Sequence, residues 1–186
     1  MGMAFQREAM APQRQGQMPA TVRLGQLILR AVRRHGGALG TGPLVLAVSG
    51  GTDSLAMLLA TATVRGSIKR EIVIAHFSHG LRKSAERREA ASVRRIAREL
   101  QVPLEHEQAE TGRSEASARD ARYAFLGRVA RLHGAAAVAT AHTQDDQAET
   151  LLLRLSRGTG LRGAGAIREF SQREVSNERI ALLRPI

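Results

Sequence analysis

The stretch Leu44-Val45-Leu46-Ala47-Val48-Ser49-Gly50-Gly51-Thr52-Asp53-Ser54 decides the fold class of this chain. A continuous apolar run follows Pro43. It is too short for an ordinary helix and lacks the alternation of a half-exposed strand, so it reads as a strand buried on both faces, as parallel strands are. Two glycines interrupt it at once. From Asp53 onward Leu55, Leu58 and Leu59 suggest a helix to about Val64, and Ile72-Val73-Ile74-Ala75-His76-Phe77 supplies a second strand. Strand, turn, helix and strand make a β-α-β unit.

Working outward, residues 1–19 scatter Gln13, Gln15 and Gln17 among Met, Ala and proline with no apolar period, and a disordered lead-in is expected there. Residues 20–186 are expected to form one domain. Leu24, Leu27, Ile28 and Ala31 recur as one helix face that ends at Gly36-Gly37. A helix over Ser84 to Leu100 is predicted with Ser84 as its cap and Val93, Ile96, Ala97 and Leu100 inward; Arg87, Arg88, Arg94, Arg95 and Arg98 take its other face. Val102 to Glu107 reads as a short strand. A helix with Ala118, Ala121, Phe125, Val129 and Leu132 inward follows, stopped by His133-Gly134. Ala135 to Thr140 is a further strand, Gln144 to Arg157 a helix, and Arg179 to Ile186 a last strand. The alternation implies an α/β, Rossmann-like parallel sheet of about five strands with helices on both faces and a ligand site at the carboxyl ends of the strands.

Composition narrows the function classes. At 186 residues, 43% of them hydrophobic, the chain has material for one core. The absence of cysteine excludes disulfides, thiolate metal sites, iron–sulfur clusters and cysteine-borne sulfur transfer within this stretch. No apolar run approaches the roughly 18 residues that cross a bilayer, so no membrane partner and a soluble, cytoplasmic protein are expected. The formal charge is +11, and with Lys69 and Lys83 the only lysines, 28 − 2 leaves 26 arginines to carry it. Guanidinium forks suit phosphate, although arginines spread over a solvated surface would give the same count.

The sharpest local signal is Ser49-Gly50-Gly51-Thr52-Asp53-Ser54 between strand and helix. Glycines let backbone amides approach an anion, the following helix turns its free N–H groups and positive dipole end toward it, and Ser49 and Ser54 can add hydroxyl donors. Asp53 is out of place beside a polyphosphate unless it holds Mg²⁺ that bridges phosphate oxygens. A plain glycine-rich turn with Asp53 as an ordinary helix-start residue is the structural alternative. Asp146 and Glu149, three apart on one helix face, can hold a cation or an ammonium, or merely complement the helix dipole. Arg119 and Arg122 are likewise three apart and could clamp phosphate or simply face water.

The S-G-G-x-D-S loop after a first strand resembles that of the N-type ATP pyrophosphatases. Three further segments, His79-Gly80-Leu81-Arg82, Ala118-Arg119-Asp120-Ala121-Arg122-Tyr123 and Ala141-His142-Thr143-Gln144-Asp145-Asp146-Gln147-Ala148-Glu149-Thr150, the last continued by Arg157-Gly158-Thr159-Gly160-Leu161-Arg162-Gly163, make the stretch from about Leu44 to Ile167 resemble the tRNA(Ile)-lysidine synthetase family. The resemblance implies ATP and Mg²⁺ as cofactors, free L-lysine and the anticodon loop of isoleucine tRNA as partners, and ligation of lysine to C2 of a cytidine through an adenylated base. It implies ATP binding by Ser49, Gly50, Gly51, Thr52, Asp53, Ser54, His76 and Arg82, and substrate contacts by Arg119, His142 and Asp145. Catalytic roles fall to Asp53, Arg122, Asp146 and Glu149, with Asp53 and Asp146 on the metal. Ser78 stands where family members commonly carry Asp or Asn, and Thr143 where a second His is frequent. The chain stops at Arg184-Pro185-Ile186 without a helix end or polar tail, so a piece of a longer protein lacking C-terminal tRNA-binding domains is expected; a homodimer is left open. A related thiolating or amidating ATP pyrophosphatase, and a non-catalytic nucleotide or RNA-binding module, are the competing readings.

Overall fold

The computed structural model describes residues 18–78, 83–109, 114–141, 168–175 and 178–185. The first β-α-β unit is β1 (Leu44–Ala47), α2 (Thr52–Thr63) and β2 (Ile72–Ser78), preceded by α1 (Ala20–Arg34) and with a short α3 (Arg65–Ile68) before β2. There follow α4 (Lys83–Glu99), β3 (Leu104–Gln108), α5 (Glu115–Leu132), β4 (Ala137–Thr140), β5 (Phe170–Val175) and β6 (Glu178–Leu183).

The sheet order is β3-β2-β1-β4-β6-β5. β3, β2, β1, β4 and β6 run parallel, with Leu44 opposite both Ile72 and Ala137, while β5 pairs antiparallel with β6. The parallel sheet is therefore as expected, with a hairpin edge added. Side chains alternate between two cores. Leu44, Leu46, Ile72, Ile74, Ala137 and Ala139 pack under α1, α2 and α4. Val45, Val73, Ala75, Phe77, Val138 and Leu182 pack under α5 through Tyr123, Phe125, Leu126 and Val129. A strand covered on both faces has no polar side to show, which is why β1 and β2 read as unbroken apolar runs.

Several expectations need correction. Leu27 is 48% exposed, because α1 turns Gly25, Ile28, Leu29 and Val32 inward. A Cβ on Gly25 would lie 2.6 Å from Thr63 Oγ1 and 2.8 Å from the Ala60 carbonyl oxygen, so glycine sets the contact face by admitting α2 to the backbone. Leu132, the last residue of α5, is 71% exposed; Tyr123 and Leu126 supply the burial instead. Ser84 lies inside α4 and does not cap it from outside, since the helix starts at Lys83. The last strand begins at Glu178 and ends at Leu183, and its partner β5 was not expected. Glu169 ties this hairpin back to the end of α1, pairing with Arg34 Nη1 at 2.8 Å and His35 Nε2 at 2.9 Å. The lead-in up to residue 17 and the helix predicted over Gln144 to Arg157 lie outside the described residues.

Candidate active site

The loop from Ser49 to Ser54 leaves β1 and turns into α2. Gly50 has φ of +95°, a left-handed conformation, and a Cβ there would come within 2.6 Å of Glu89 Cβ on α4, so both backbone and packing demand glycine. Gly51 is extended and an added Cβ would meet only Ser49 Oγ at 3.5 Å, which leaves an open flank. As the N-cap it offers no side chain to the first amides of α2. The backbone N–H groups of Thr52, Asp53 and Ser54 thus form an uncapped positive helix end.

The serines do more shaping than the sequence implied. Ser54 is buried; its hydroxyl donates to the Gly51 carbonyl at 2.8 Å and accepts from Ser49 Oγ at 3.1 Å and from the Gly50 amide at 3.2 Å. Ser49 Oγ also accepts from the Gly51 amide at 3.3 Å. Ser54 therefore fixes the curve of the loop, while Ser49, on the exposed side, can turn to a ligand.

Above the loop opens a cavity of about 540 Å³, lined by Val48 and Ser49 after β1, His76 and Ser78 on β2, Glu86 and Glu89 on α4, Arg122 and Tyr123 on α5, and Thr140 and Ala141 leaving β4. It lies at the carboxyl ends of β1, β2 and β4. There the order reverses: successive strands step outward from β1 to β2 and β3, then cross to its other side at β4, and such a switch point leaves a crevice.

One wall is a directional chain of hydrogen bonds. Arg94 Nη2 lies 3.3 Å from His106 Nδ1, His106 Nε2 lies 3.5 Å from Ser78 Oγ, Ser78 Oγ lies 3.2 Å from His76 Nε2, and His76 Nδ1 lies 2.7 Å from the Val48 carbonyl. Because an arginine only donates, His106 accepts at Nδ1 and its Nε2–H donates to Ser78 Oγ; because a carbonyl only accepts, His76 Nδ1–H donates to Val48. Burial pushes the His76 pKa down, with the Val48 bond and Glu89 opposing in part. His106 is lowered by burial, then by His76 and Arg94. The rings stack at 5.2 Å, as their opposed register on β2 and β3 allows. Ser78, where the resembled family has Asp or Asn, is buried as the link between them.

The opposite wall is cationic. Arg122 has its pKa lowered by burial first, with Tyr123 opposing and Arg119 and Arg173 adding to the lowering, and no ion pair to it occurs among the described residues. The guanidinium carbons of Arg119, Arg122 and Arg173 lie 5.5, 5.6 and 3.9 Å from the Tyr123 ring centroid.

The fold thus brings Ser49 and Ser54 of the loop to one cavity with His76 and Arg122, leaves Gly50, Gly51, Thr52 and Asp53 in the turn between those serines, and sets Arg119 beside Tyr123. Arg82, His142, Asp145, Asp146 and Glu149 lie outside the described residues. Glu86, Glu89, His106 and Arg173 were not singled out by the sequence, whereas Ser78 was named as a departure from the resembled family and Tyr123 as the end of the Ala118 to Tyr123 segment. Pairing of His76 with His106 could have been suspected only from the β2–β3 register. Asp53 is an exposed carboxylate in the first turn of α2, and among the described residues no three metal-capable side chains cluster.

A family model described as PP-loop domain matches residues 24–186. Among curated proteins, a tRNA(Ile)-lysidine synthase of Rhodopseudomonas palustris is 43% identical over 150 residues, covering 77% of this chain and 42% of the relative. One from Thermus thermophilus is 49% identical over 125 residues, 63% of this chain and 24% of the relative. The chain therefore spans less than half the length of these relatives. Among solved structures, a U34-tRNA thiolase, NcsA, from Methanococcus maripaludis superposes with a TM-score of 0.62 at 15% identity over 86% of this chain and 59% of its own, a likeness of fold.

Proposed function

The chain belongs to the PP-loop domain family, and from that premise we propose that it activates a cytidine of isoleucine tRNA with ATP and joins free lysine to C2 of that base. In the first step the C2 oxygen attacks the α-phosphate, the bond to the β-phosphate breaks, and pyrophosphate leaves. In the second the lysine amine attacks C2, loses a proton, and expels AMP together with the former base oxygen. A carbonyl oxygen is a poor leaving group until it is phosphorylated, so the site must bind and neutralise phosphate in both steps.

The observation that carries the reading is the shared cavity: Ser49 and Ser54, at the uncapped start of α2, and Arg122, which has no ion pair among the described residues, line one space at the switch point. The amides of Thr52, Asp53 and Ser54 would hold the pyrophosphate portion, and Arg122 would lie by the charge that develops on the α-phosphate. Asp53, with Asp146, would hold Mg²⁺, which supplies charge neutralisation on the phosphates. Glu149 would orient the lysine amine. Arg82, His142 and Asp145 would border the substrates, and His76 would fix Val48 at the root of the loop. Supporting the choice of substrate are the relatives named tRNA(Ile)-lysidine synthase.

Incubating the intact protein with ATP, Mg²⁺, labelled lysine and isoleucine tRNA is expected to yield AMP, pyrophosphate and labelled tRNA in equal amounts. Absence of lysine incorporation overturns the proposal, and ATP binding without cleavage would favour a nucleotide sensor.

A further inference from the structure

Tyr123 is 2% exposed, yet three guanidiniums crowd its ring, and among the described residues only one of them meets a carboxylate: Arg173 Nη2 to Asp120 at 3.4 Å, an oxygen on a residue whose side chain is 75% exposed. Arg119 and Arg122 come from successive turns of α5, whereas Arg173 comes from β5, far along the chain. Like charges so placed repel, and Asp120 offsets one of three. An anion binding here relieves that repulsion, and arginine forks over an aromatic face are preset for phosphate oxygens.

We propose that Arg119 and Arg173, over the ring of Tyr123 that lines the cavity, bind a backbone phosphate of the substrate RNA; this rests on the tRNA-modifying reading above. The buried ring cannot stack a base, so the site reads phosphate and not sequence. ATP is the other source of the same chemistry, but its phosphates have the amides at the start of α2, and Arg119 faces solvent while Arg173 is partly exposed. The hairpin that delivers Arg173 then has a purpose: it brings a third cation to a face that α5 alone would give two.

The test compares wild type with Arg173→Ala, Arg173→Lys and Arg119→Ala in the intact protein, measuring affinity for isoleucine tRNA across salt concentrations and, separately, for a non-hydrolysable ATP analogue. Loss of one guanidinium from the phosphate should weaken tRNA binding and lower the slope of log affinity against log salt by up to about one in each alanine variant, while Arg173→Lys, which keeps the charge, should hold the slope with an intermediate affinity. Affinity for the ATP analogue should stay within about twofold. Thermal melts confirm that the variants fold. Unchanged tRNA affinity and slope in both folded alanine variants overturns the proposal, as does a loss confined to the ATP analogue. If wild type forms lysidine while Arg173→Ala binds tRNA normally, this inference fails and the function above survives.

Discussion

Gly50 carries two constraints at one position, a φ of +95° and a Cβ site 2.6 Å from Glu89 Cβ. Gly50→Ala should cost about 1–3 kcal/mol from backbone strain, with packing adding to it. Because the loop cannot then keep its curve, binding of an ATP analogue should fall at least tenfold; calorimetric titration beside urea unfolding checks both. Ser54 gives a milder variant. Ser54→Ala strips the Gly50 amide and Ser49 of their partner, and about 1–3 kcal/mol of stability should be lost in the same unfolding assay. His76 and His106 make stability depend on pH. Both pKa values lie below the ordinary 6.5. The folded state therefore binds fewer protons than the unfolded chain below that value, so the contribution is complete above pH 6.5 and drains away as pH falls toward the lowered values. The urea midpoint should drop between pH 7 and pH 5, and the slope should be shallower in His76→Gln than in wild type; equal slopes would remove His76 from the account.

At the scale of elements, the meeting of α1 and α2 depends on Gly25. Gly25→Ala gains helix propensity of up to about 1 kcal/mol, but its Cβ would sit 2.8 Å from the backbone oxygen of Ala60, which cannot rotate away. A net loss of about 1–2 kcal/mol is expected in chemical denaturation. The same comparison explains what the sequence disclosed. β1 and β2 were legible because burial on both faces leaves an uninterrupted apolar signature, and the loop because its glycines fall between strand and helix. The interior faces of α1 and α5 were legible only in part: apolar spacing marks a stripe but cannot say that a glycine centres the contact, nor that Leu132 comes too late in α5. β5 was invisible. Phe170-Ser171-Gln172-Arg173-Glu174-Val175 is an edge strand whose middle is polar, and an edge exposed to water imposes no apolar period. His106 reaches Ser78 through sheet register and Arg173 reaches Tyr123 from a strand far along the chain, relations that spacing along the chain does not encode.

For the whole molecule, the charge of +11 gains meaning from its placement. Ser49, Ser54 and Arg122 line one cavity, and Arg119 and Arg173 lie over the Tyr123 ring that also lines it; on the proposed function this placement would hold an RNA while one base oxygen is presented to ATP. The central claim is that this oxygen becomes the leaving group. It can be followed directly by preparing isoleucine tRNA with oxygen-18 at C2 of the target cytidine and measuring the mass of the AMP released with lysine present. The account predicts AMP carrying the heavy oxygen, one for each lysine incorporated; AMP of ordinary mass, with the label retained in tRNA, would contradict it.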